Sequence, residues 1–266
     1  MENQGKVIIE KQLGIPPDYQ FRALKGKNFL KANWHANKLT LLKHYLKLSP
    51  TSRILDLGTG SGNFEFFFAK KVKEIVGVDY NDEALAFIKS ELNKKKISNV
   101  RLILSDIRKI NTVPKIGRFD LIILSDVLEH IKIGEAKILI TKLTKLLNPN
   151  GEVVIITPNY HSLWVVIEHF ADGFSFLPRL LGTQHLAKYY RSNLNHMFTN
   201  NGFIIKRFFT FNLFSFLSPS KKISQKVALM ESTTIGNIGN LIFAVYRIHK
   251  PKNHRRKKSS RVVRTN

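Results

Sequence analysis

The feature that most constrains this chain is a run of nine residues, ILDLGTGSG, at positions 54–62. Its first half is apolar, as expected for a buried strand, and glycines follow at positions 58, 60 and 62. Glycine is needed where the backbone turns with a positive φ or where a ligand approaches it closely. In open α/β sheets, ligands bind beyond the carboxyl ends of the strands. The run therefore predicts a strand, a ligand-binding loop and a helix in immediate succession.

The glycine spacing and one acid separate two classes of ligand. A dinucleotide-binding loop has the pattern G-x-G-x-x-G, whereas Gly58, Gly60 and Gly62 follow G-x-G-x-G. Asp56 stands just before the first glycine. A carboxylate there would repel a pyrophosphate and would attract a ligand that carries an ammonium and a sulfonium. The alternative interpretation is a plain strand–turn–helix that binds nothing.

Strands and helices alternate through most of the chain. The expected strands are residues 53–57, 74–78, 99–104, 119–124 and 151–157, followed by a closing pair at 203–211 and 240–248. The expected helices are residues 28–48, 64–72, 81–93, 134–147 and 192–200. Such alternation is typical of an α/β fold, in which helices cover both faces of a mostly parallel sheet.

Changes in composition predict the domain boundaries. Residues 1–26 mix glycine, proline and charge without periodicity, and we expect a flexible N-terminal arm. Residues 27–248 form the expected folded domain, with an aromatic-rich inserted segment at about residues 159–200. Residues 249–266 are strongly basic and predict a disordered tail.

Polar groups stand at the ends of the other expected strands. Asp79 ends the second strand, where a carboxylate can accept hydrogen bonds from both hydroxyls of a ribose. Asp106 follows the third strand, in a position to reach an adenine edge. The fourth strand ends in the polar cluster SDVLEHI at positions 125–131.

These four strand ends, in this order, resemble the core of the class I S-adenosylmethionine-dependent methyltransferases over residues 53–157. The resemblance implies a Rossmann-like, seven-stranded, mostly parallel sheet with a C-terminal antiparallel strand pair. It also implies that S-adenosylmethionine is the cofactor, with the methionine part at the glycines, the ribose at the second-strand acid and the adenine at the third strand. The implied cofactor-binding residues are Asp56, Gly58, Gly60, Asp79, Asp106, Ile107 and Ser125.

One branch of that superfamily is the most similar in its motifs. The cluster SDVLEHI, and the segment GTQH at positions 182–185, resemble the O-methyltransferases of ubiquinone biosynthesis and their small-molecule relatives. Methylation of exocyclic amines typically uses an N/D-P-P-Y loop after the fourth strand, and the residues here are SDVL. The resemblance therefore favours an oxygen acceptor.

Methyl transfer to a hydroxyl needs the acceptor to be oriented and its proton to be lost. Either a base removes that proton, or a bound metal lowers the pKa of the hydroxyl. We expect His130 and His185 to act as catalytic residues. The quinone-pathway relatives carry a metal-associated E-x-x-E-H sequence, and the resemblance implies that Asp126, Glu129 and His130 hold a divalent metal. The alternative is that Glu129 and His130 only begin the next loop through hydrogen bonds.

Charge limits the partners. The formal net charge is +24, and residues 247–266 contain nine Lys and Arg and no acid. A basic surface suits an anionic lipid surface or a nucleic acid, although such a tail can also serve only solubility. Aromatic residues beside basic ones at 160–181 and 208–217 suit an interfacial element, and the alternative is that they cap the acceptor pocket or form core. The absence of cysteine excludes disulfides, cysteine zinc sites and thiol catalysis.

We therefore expect O-methylation of a hydrophobic or membrane-associated small molecule by a cytoplasmic protein held peripherally on a membrane. The sequence shows no secretory signal pattern and no apolar run long enough to span a bilayer. One alternative is an RNA methyltransferase whose tail contacts phosphates. The other is a non-catalytic, cofactor-binding interaction module.

Overall fold

Seven strands form one sheet in the order β3-β2-β1-β4-β5-β7-β6 in the computed structural model, which describes residues 16–163, 165 and 185–248. The strands are β1 (Arg53–Leu57), β2 (Glu74–Asp79), β3 (Val100–Leu104), β4 (Phe119–Ser125), β5 (Leu147–Pro158), β6 (Phe203–Phe211) and β7 (Leu241–Ile248). Strands β1 to β5 pair in parallel, whereas β7 is antiparallel to both β5 and β6. The expected fold class is confirmed.

The described helices flank this sheet. They are α1 (Tyr19–Lys25), α2 (Phe29–Tyr45), α3 (Asn63–Phe68), α4 (Asp82–Lys94), α5 (Ile133–Leu146), α6 (Arg191–Thr199) and α7 (Lys221–Thr234). Local sequence sets their starts, as at Asn81, whose side chain accepts hydrogen bonds from the backbone N–H groups of Glu83 and Ala84. Among the described helices, none is long and apolar enough to cross a bilayer.

Two apolar cores lie on opposite faces of the sheet, because successive strand residues point to opposite sides. Leu55 packs with α5 and α6 on one face, whereas Ile54 packs with α2 and α3 on the other. Helix α4 adds a smaller cluster of Leu85, Ile88 and Leu92 beside the first strands. Helices therefore cover both faces, as the alternating pattern predicts.

Two helices are absent from the sequence prediction. Helix α1 falls within residues 1–26, for which we expected a flexible arm, and Phe21 packs edge-on against Phe66 and Phe87 at centroid distances of 5.6 and 5.3 Å. A helix this short depends on such tertiary contacts, which its sequence does not reveal. Helix α7 has an inverted pattern, because small and polar residues form its buried face and large apolar ones are exposed.

Parts of the predicted organisation lie outside the described residues. These are residues 1–15 of the arm, most of the inserted segment (164 and 166–184) and the whole basic tail, 249–266. The other differences concern element ends. Strand β5 begins at Leu147 rather than at 151, and α3 gives way after Phe68 to a 3₁₀ turn, Ala69–Lys71.

Candidate active site

The glycine loop joins β1 to α3 at the carboxyl edge of the sheet. Gly58 has φ +81°, and a Cβ atom there would collide with the Val127 side chain, so neither conformation nor space admits another residue. The backbone N–H groups of Gly58 and Thr59 both donate to the Val78 carbonyl, at 2.8 and 3.2 Å. The loop is thus a fixed cradle beside β2 that exposes backbone where a ligand is expected.

Asp79 ties the glycine loop to the start of α4. One carboxylate oxygen accepts from the Gly60 N–H at 2.8 Å, and the other accepts from the Asn81 N–H at 2.9 Å. A carboxylate oxygen accepts more than one hydrogen bond, so these contacts are compatible with ribose binding. Gly60, with φ +52°, is therefore compatible with its predicted contact to the methionine part, and Asp79 with its predicted contact to the ribose. Both roles remain predictions.

Asp56 lies beneath the loop, where a second acid contacts it. It is buried, and Glu65 from α3 lies within hydrogen-bond reach of it. Burial and the Glu65 carboxylate raise the pKa of Asp56 well above its usual range. We expected an anion at this position. The sequence motif did not include the second buried acid, nine residues later, whose Oε1 accepts a hydrogen bond from the Thr59 hydroxyl.

The predicted adenine-side residues follow β3 and β4. The Asp106 carboxylate accepts from the Arg108 backbone N–H at 2.9 Å and from Arg108 Nε at 2.8 Å, and Arg108 also contacts Glu135 at 2.8 Å. Ile107 is buried, and Ser125 is half-buried at the end of β4. All three lie at the expected edge, while their contacts to the cofactor stay predictions. No sequence pattern indicates that Arg108 pairs with Asp106.

Helix α1 covers the glycine loop from the outside. The Gln20 backbone N–H donates to Ser61 Oγ at 3.2 Å, and that hydroxyl donates to the Pro17 carbonyl at 3.0 Å. The Gln20 side-chain oxygen would lie 3.1 Å from a Cβ atom at Gly60. Sequence reasoning missed this contact, because residues 19–25 carry no motif.

The structure brings the two predicted catalytic histidines together. The His130 and His185 rings have their centroids 5.0 Å apart, and ligand atoms of both lie within 4.8 Å of each other and of a Glu129 carboxylate oxygen. The backbone N–H groups of Leu186 and Ala187 donate to the Glu129 carbonyl at 2.7 and 3.1 Å. These two bonds hold the described part of the inserted segment against the turn that follows β4.

Glu129 and Tyr160 complete this cluster. Glu129 is buried, accepts from the Thr157 hydroxyl at 2.9 Å, and has a pKa that burial raises to about 7 although His130 acts to lower it. The Tyr160 hydroxyl lies 2.5 Å from His185 Nδ1. In the sequence, Tyr160 stands out only as part of an aromatic stretch, because its partner His185 is 25 residues away.

Asp126 does not join the metal-ligand cluster that the resemblance implied. It has φ +56° and forms an ion pair with the buried Lys38 of α2. Burial acts to raise the pKa of Asp126, but Lys38 holds it below its usual value. Among the described residues, the group that can hold a metal is Glu129, His130 and His185. The structure thus brings Glu129 and His130 together with His185, while the Asp126 carboxylate pairs with Lys38, and the metal set of Asp126, Glu129 and His130 stays a prediction.

Helix α2 supplies two site residues that sequence reasoning missed. Lys38 pairs with Asp126, and burial together with Lys38 lowers the pKa of His35 to about 3. Lysines in an amphipathic helix normally face solvent, so no pattern singles out Lys38. His161 lies outside the cluster of Glu129, His130 and His185, and its ring stacks on Tyr190 with centroids 4.1 Å apart.

Comparisons with known proteins find a family model and several relatives. A family model described as a methyltransferase domain matches residues 48–205. EEF1A lysine methyltransferase 2 of Homo sapiens is 29% identical over 147 residues, which are 52% of this chain and 59% of that protein. The chain spans less than two thirds of the length of the first curated relatives that it matches.

Two further matches cover more of the chain. A ubiquinone biosynthesis O-methyltransferase of Acinetobacter baumannii (strain ACICU) is 22% identical over 193 residues, which are 70% of this chain and 75% of that protein. The crystal structure of the N-methyltransferase NodS from Bradyrhizobium japonicum WM9 with S-adenosyl-L-homocysteine superposes with a TM-score of 0.55 at 15% identity. That superposition covers 87% of this chain and 97% of NodS, and shows a shared fold.

Proposed function

This chain belongs to the methyltransferase domain family, and we propose that it is a class I S-adenosylmethionine-dependent methyltransferase that methylates a hydroxyl of a hydrophobic small molecule at the cytoplasmic face of an anionic membrane. The observation that carries the proposal is an apolar and basic surface at the edge of the sheet that bears the active site. We call this surface the docking face.

The docking face consists of α7 and the turn before it. Its exposed apolar side chains are Phe214, Leu217, Ile223 and Met230, whose exposed fractions are 63, 44, 55 and 64%. Ile223 and Met230 lie seven residues apart and share one side of α7, while Ser224 and Ala228 face inward. A helix that buries small and polar residues and exposes large apolar ones leaves an unusual apolar surface for a water-facing helix.

The charge of the docking face has one sign. Lys221, Lys222 and Lys226 are exposed on α7, and residues 174–230 contain no Asp or Glu. Apolar side chains interspersed with lysines are the composition that inserts into the headgroup region of an anionic bilayer. This complementarity favours a lipid surface as the occupant.

The docking face and the active site lie at the same edge. Strand β6 runs parallel to β5, so its last residue, Phe211, reaches the edge at which β4 ends. Helix α2 contacts both regions. Its Lys38 pairs with Asp126 after β4, and the side-chain amide of its Asn33 donates to the Ser218 carbonyl before α7 at 2.6 Å. A hydrophobic acceptor therefore has a short route from a bilayer to the site.

The cluster beyond β4 and β5 suits proton removal from a hydroxyl acceptor. When bound, S-adenosylmethionine supplies a methyl group activated on a sulfonium. Tyr160 fixes the ring of His185 through Nδ1, and in the tautomer that donates Nδ1–H to Tyr160, Nε2 takes the acceptor proton. Glu129 lies beside this ring and, when ionised, stabilises the positive charge that the ring gains.

A divalent metal is the alternative way to activate the hydroxyl. One carboxylate and two imidazoles within 4.8 Å fit several divalent transition metals, and Glu129, His130 and His185 would hold it. Extensive dialysis against a chelator, followed by metal analysis and activity measurement, separates the two schemes. Loss of activity that Zn²⁺ or Mg²⁺ restores supports the metal, and chelator-resistant turnover leaves base catalysis. His161→Ala, which removes a histidine outside the cluster, is the control for any substitution of Glu129, His130 or His185.

The acceptor class is tested by transfer of a labelled methyl group in a cell extract. We expect label in the fraction of apolar small molecules and lipids after separation from RNA and protein. Label in RNA would support the RNA methyltransferase alternative, and label in protein would support a protein substrate. No transfer to any fraction, with cofactor binding intact, would support the non-catalytic module.

The docking face is tested by sedimentation with phosphatidylglycerol-containing vesicles. Phe214→Ser combined with Leu217→Ser is expected to weaken binding by about tenfold or more, because two apolar side chains no longer leave water. Ile138→Ser is the matched control, since Ile138 is 59% exposed on α5. Equal binding of the two variants, or a dimer that the double variant dissociates, would contradict the lipid assignment.

A further inference from the structure

Two carboxyl groups meet beneath the glycine loop. Asp56 is 5% exposed on β1, and Glu65 is fully buried on α3. We propose that Asp56 and Glu65 share one proton in the cofactor-free protein and release it when the cationic cofactor binds, so that this pair distinguishes S-adenosylmethionine from its neutral-sulfide product. Neither the motif nor the comparisons assign a role to Glu65.

The geometry requires a donor between the two groups. Glu65 Oε1 accepts from the Thr59 hydroxyl, whereas Glu65 Oε2 is buried without a hydrogen-bond partner among the described residues. An unsatisfied buried carboxylate oxygen is costly. Asp56 lies within hydrogen-bond reach of Glu65, and a proton on Asp56 supplies the missing donor.

Apart from the Thr59 hydroxyl, the groups around the pair are apolar or acidic. Asp56 pairs in the sheet with Gly77 of β2 and Ile123 of β4. A Cβ atom at Gly77 would lie 3.0 Å from Glu65 Oε1, so the glycine makes room for the acid. The charged groups that act on Asp56 are Glu65 from α3 and Asp79 from β2, and both are acids.

Two buried carboxylates in contact cannot both be ionised without a compensating positive charge. Burial first, and Glu65 second, raise the pKa of Asp56 well above its usual range, and the pKa of Glu65 is also raised by burial. The pair therefore holds one proton more tightly than two separate carboxyl groups would. Because a nearby cation favours the ionised form, the sulfonium lowers the affinity of the pair for this proton.

The charge balance makes the inference specific. S-adenosylmethionine carries a sulfonium, an ammonium and a carboxylate, whereas the product has lost only the sulfonium charge. Binding of the cofactor to the protonated pair releases one proton to the buffer and leaves both carboxylates ionised. After methyl transfer the sulfonium charge is gone, and the pair takes a proton back from solvent.

Calorimetry of the full chain in buffers of different ionisation enthalpy measures the released proton directly. We expect release of about one proton with S-adenosylmethionine and much less with S-adenosylhomocysteine. The affinity for S-adenosylmethionine should then rise by up to about tenfold per pH unit while the pair remains protonated in the free protein. The affinity for the product should change little over the same range.

Asp56→Asn tests the pair with little change in shape, because the asparagine amide donates permanently to Glu65. This variant should release no proton and should lose its preference for S-adenosylmethionine over the product. Glu74→Gln, at the opposite end of β2, is the matched control and should release the proton as the wild type does.

Three outcomes would overturn the proposal: no proton release by the wild type, equal release with both ligands, or release that persists in Asp56→Asn. Equal loss of affinity for both ligands in Asp56→Asn would instead indicate a direct contact with the ammonium that they share. If neither ligand bound the wild type, the cofactor assignment itself would fail, which is a different result.

Discussion

Single residues at this active site hold charge in three different ways. Asp79 is an acceptor for backbone N–H groups, Asp126 is neutralised by the buried Lys38, and Asp56 shares its environment with another acid. Only the first arrangement leaves a carboxylate whose charge is balanced mainly by the dipoles of the peptide chain. Each arrangement predicts a different response to substitution or pH.

Asp79→Ala should weaken S-adenosylmethionine binding by roughly 1.5–3 kcal/mol, because it removes a charge-assisted contact to the ribose. Calorimetry measures the change, and Asp82→Ala is the control, since Asp82 lies exposed in the first turn of α4. Tight binding of NAD by the wild type, or equal affinity of Asp79→Ala and wild type, would contradict the assignment.

His35 should make the folded state sensitive to acid. Burial, with Lys38, lowers its pKa to about 3 in the folded protein, and the unfolded chain has a value of about 6.5. The unfolded state therefore binds more protons between these values. Stability is fully present above pH of about 6.5 and is lost as pH falls toward 3.

Urea unfolding at two pH values measures this effect. When the pH is lowered from about 7 to about 4.5, the unfolding free energy of the wild type should decrease by about 2 kcal/mol more than that of His35→Gln. His196→Gln, at an exposed position, should behave as the wild type. An identical pH dependence of His35→Gln and wild type would show that His35 does not titrate in this way.

At the scale of elements, α1 and α7 depart most from what their sequences indicate. Both are held by contacts to other elements, as when Glu231 of α7 accepts from the backbone N–H groups of Phe214 and Ser215 at 2.7 and 2.9 Å. Helix α1 is attached to the glycine loop itself through Gln20 and Ser61. The cofactor site is therefore partly built by the segment that precedes the predicted domain core.

Gln20→Ala should weaken cofactor binding by about 1 kcal/mol, or roughly fivefold, because the side chain that lies over Gly60 is lost. Calorimetry with S-adenosylhomocysteine measures it without turnover. Arg22→Ala is the control on the same helix, since Arg22 is exposed and pairs with Asp18. Equal affinities of the two variants would show that α1 does not contribute through Gln20.

The elements that the sequence predicted well are those whose apolar period matches their burial. Strands β1 to β4 begin and end within one or two residues of their expected ends. Of these, β1, β2 and β4 are almost fully buried. The site was predictable where a motif marks it, as at Gly58, Asp79 and His130. Lys38, Tyr160 and Glu65 carry no local pattern, because their partners are 88, 25 and 9 residues away.

At the scale of the whole molecule, the net charge of +24 and the docking face point to an anionic partner. The last strand limits where the basic tail can be removed. Arg247 contacts Glu152 at 2.6 Å, and Ile248 pairs with Phe203, so a truncated chain should end at Ile248. Eight Lys and Arg residues follow that position.

A chain ending at Ile248 should bind phosphatidylglycerol vesicles more weakly at low salt, since each basic residue near such a surface is worth about 1 kcal/mol before screening. Turnover of a soluble acceptor analogue should be nearly unchanged. If the tail instead binds RNA, its removal should flatten the salt dependence of RNA binding by about 0.7 per lost phosphate contact. Unchanged behaviour in both assays would leave the tail with a role in solubility only.

The position of β7 has a consequence for synthesis of the protein on the ribosome. Strand β7 is made after both β5 and β6, yet it lies between them in the sheet. Until residues 241–248 emerge, β5 has no partner on that side and β6 has none at all in the described sheet. The nascent chain therefore keeps two exposed strand edges until β7 is made, and these edges are sites for chaperone binding and for aggregation.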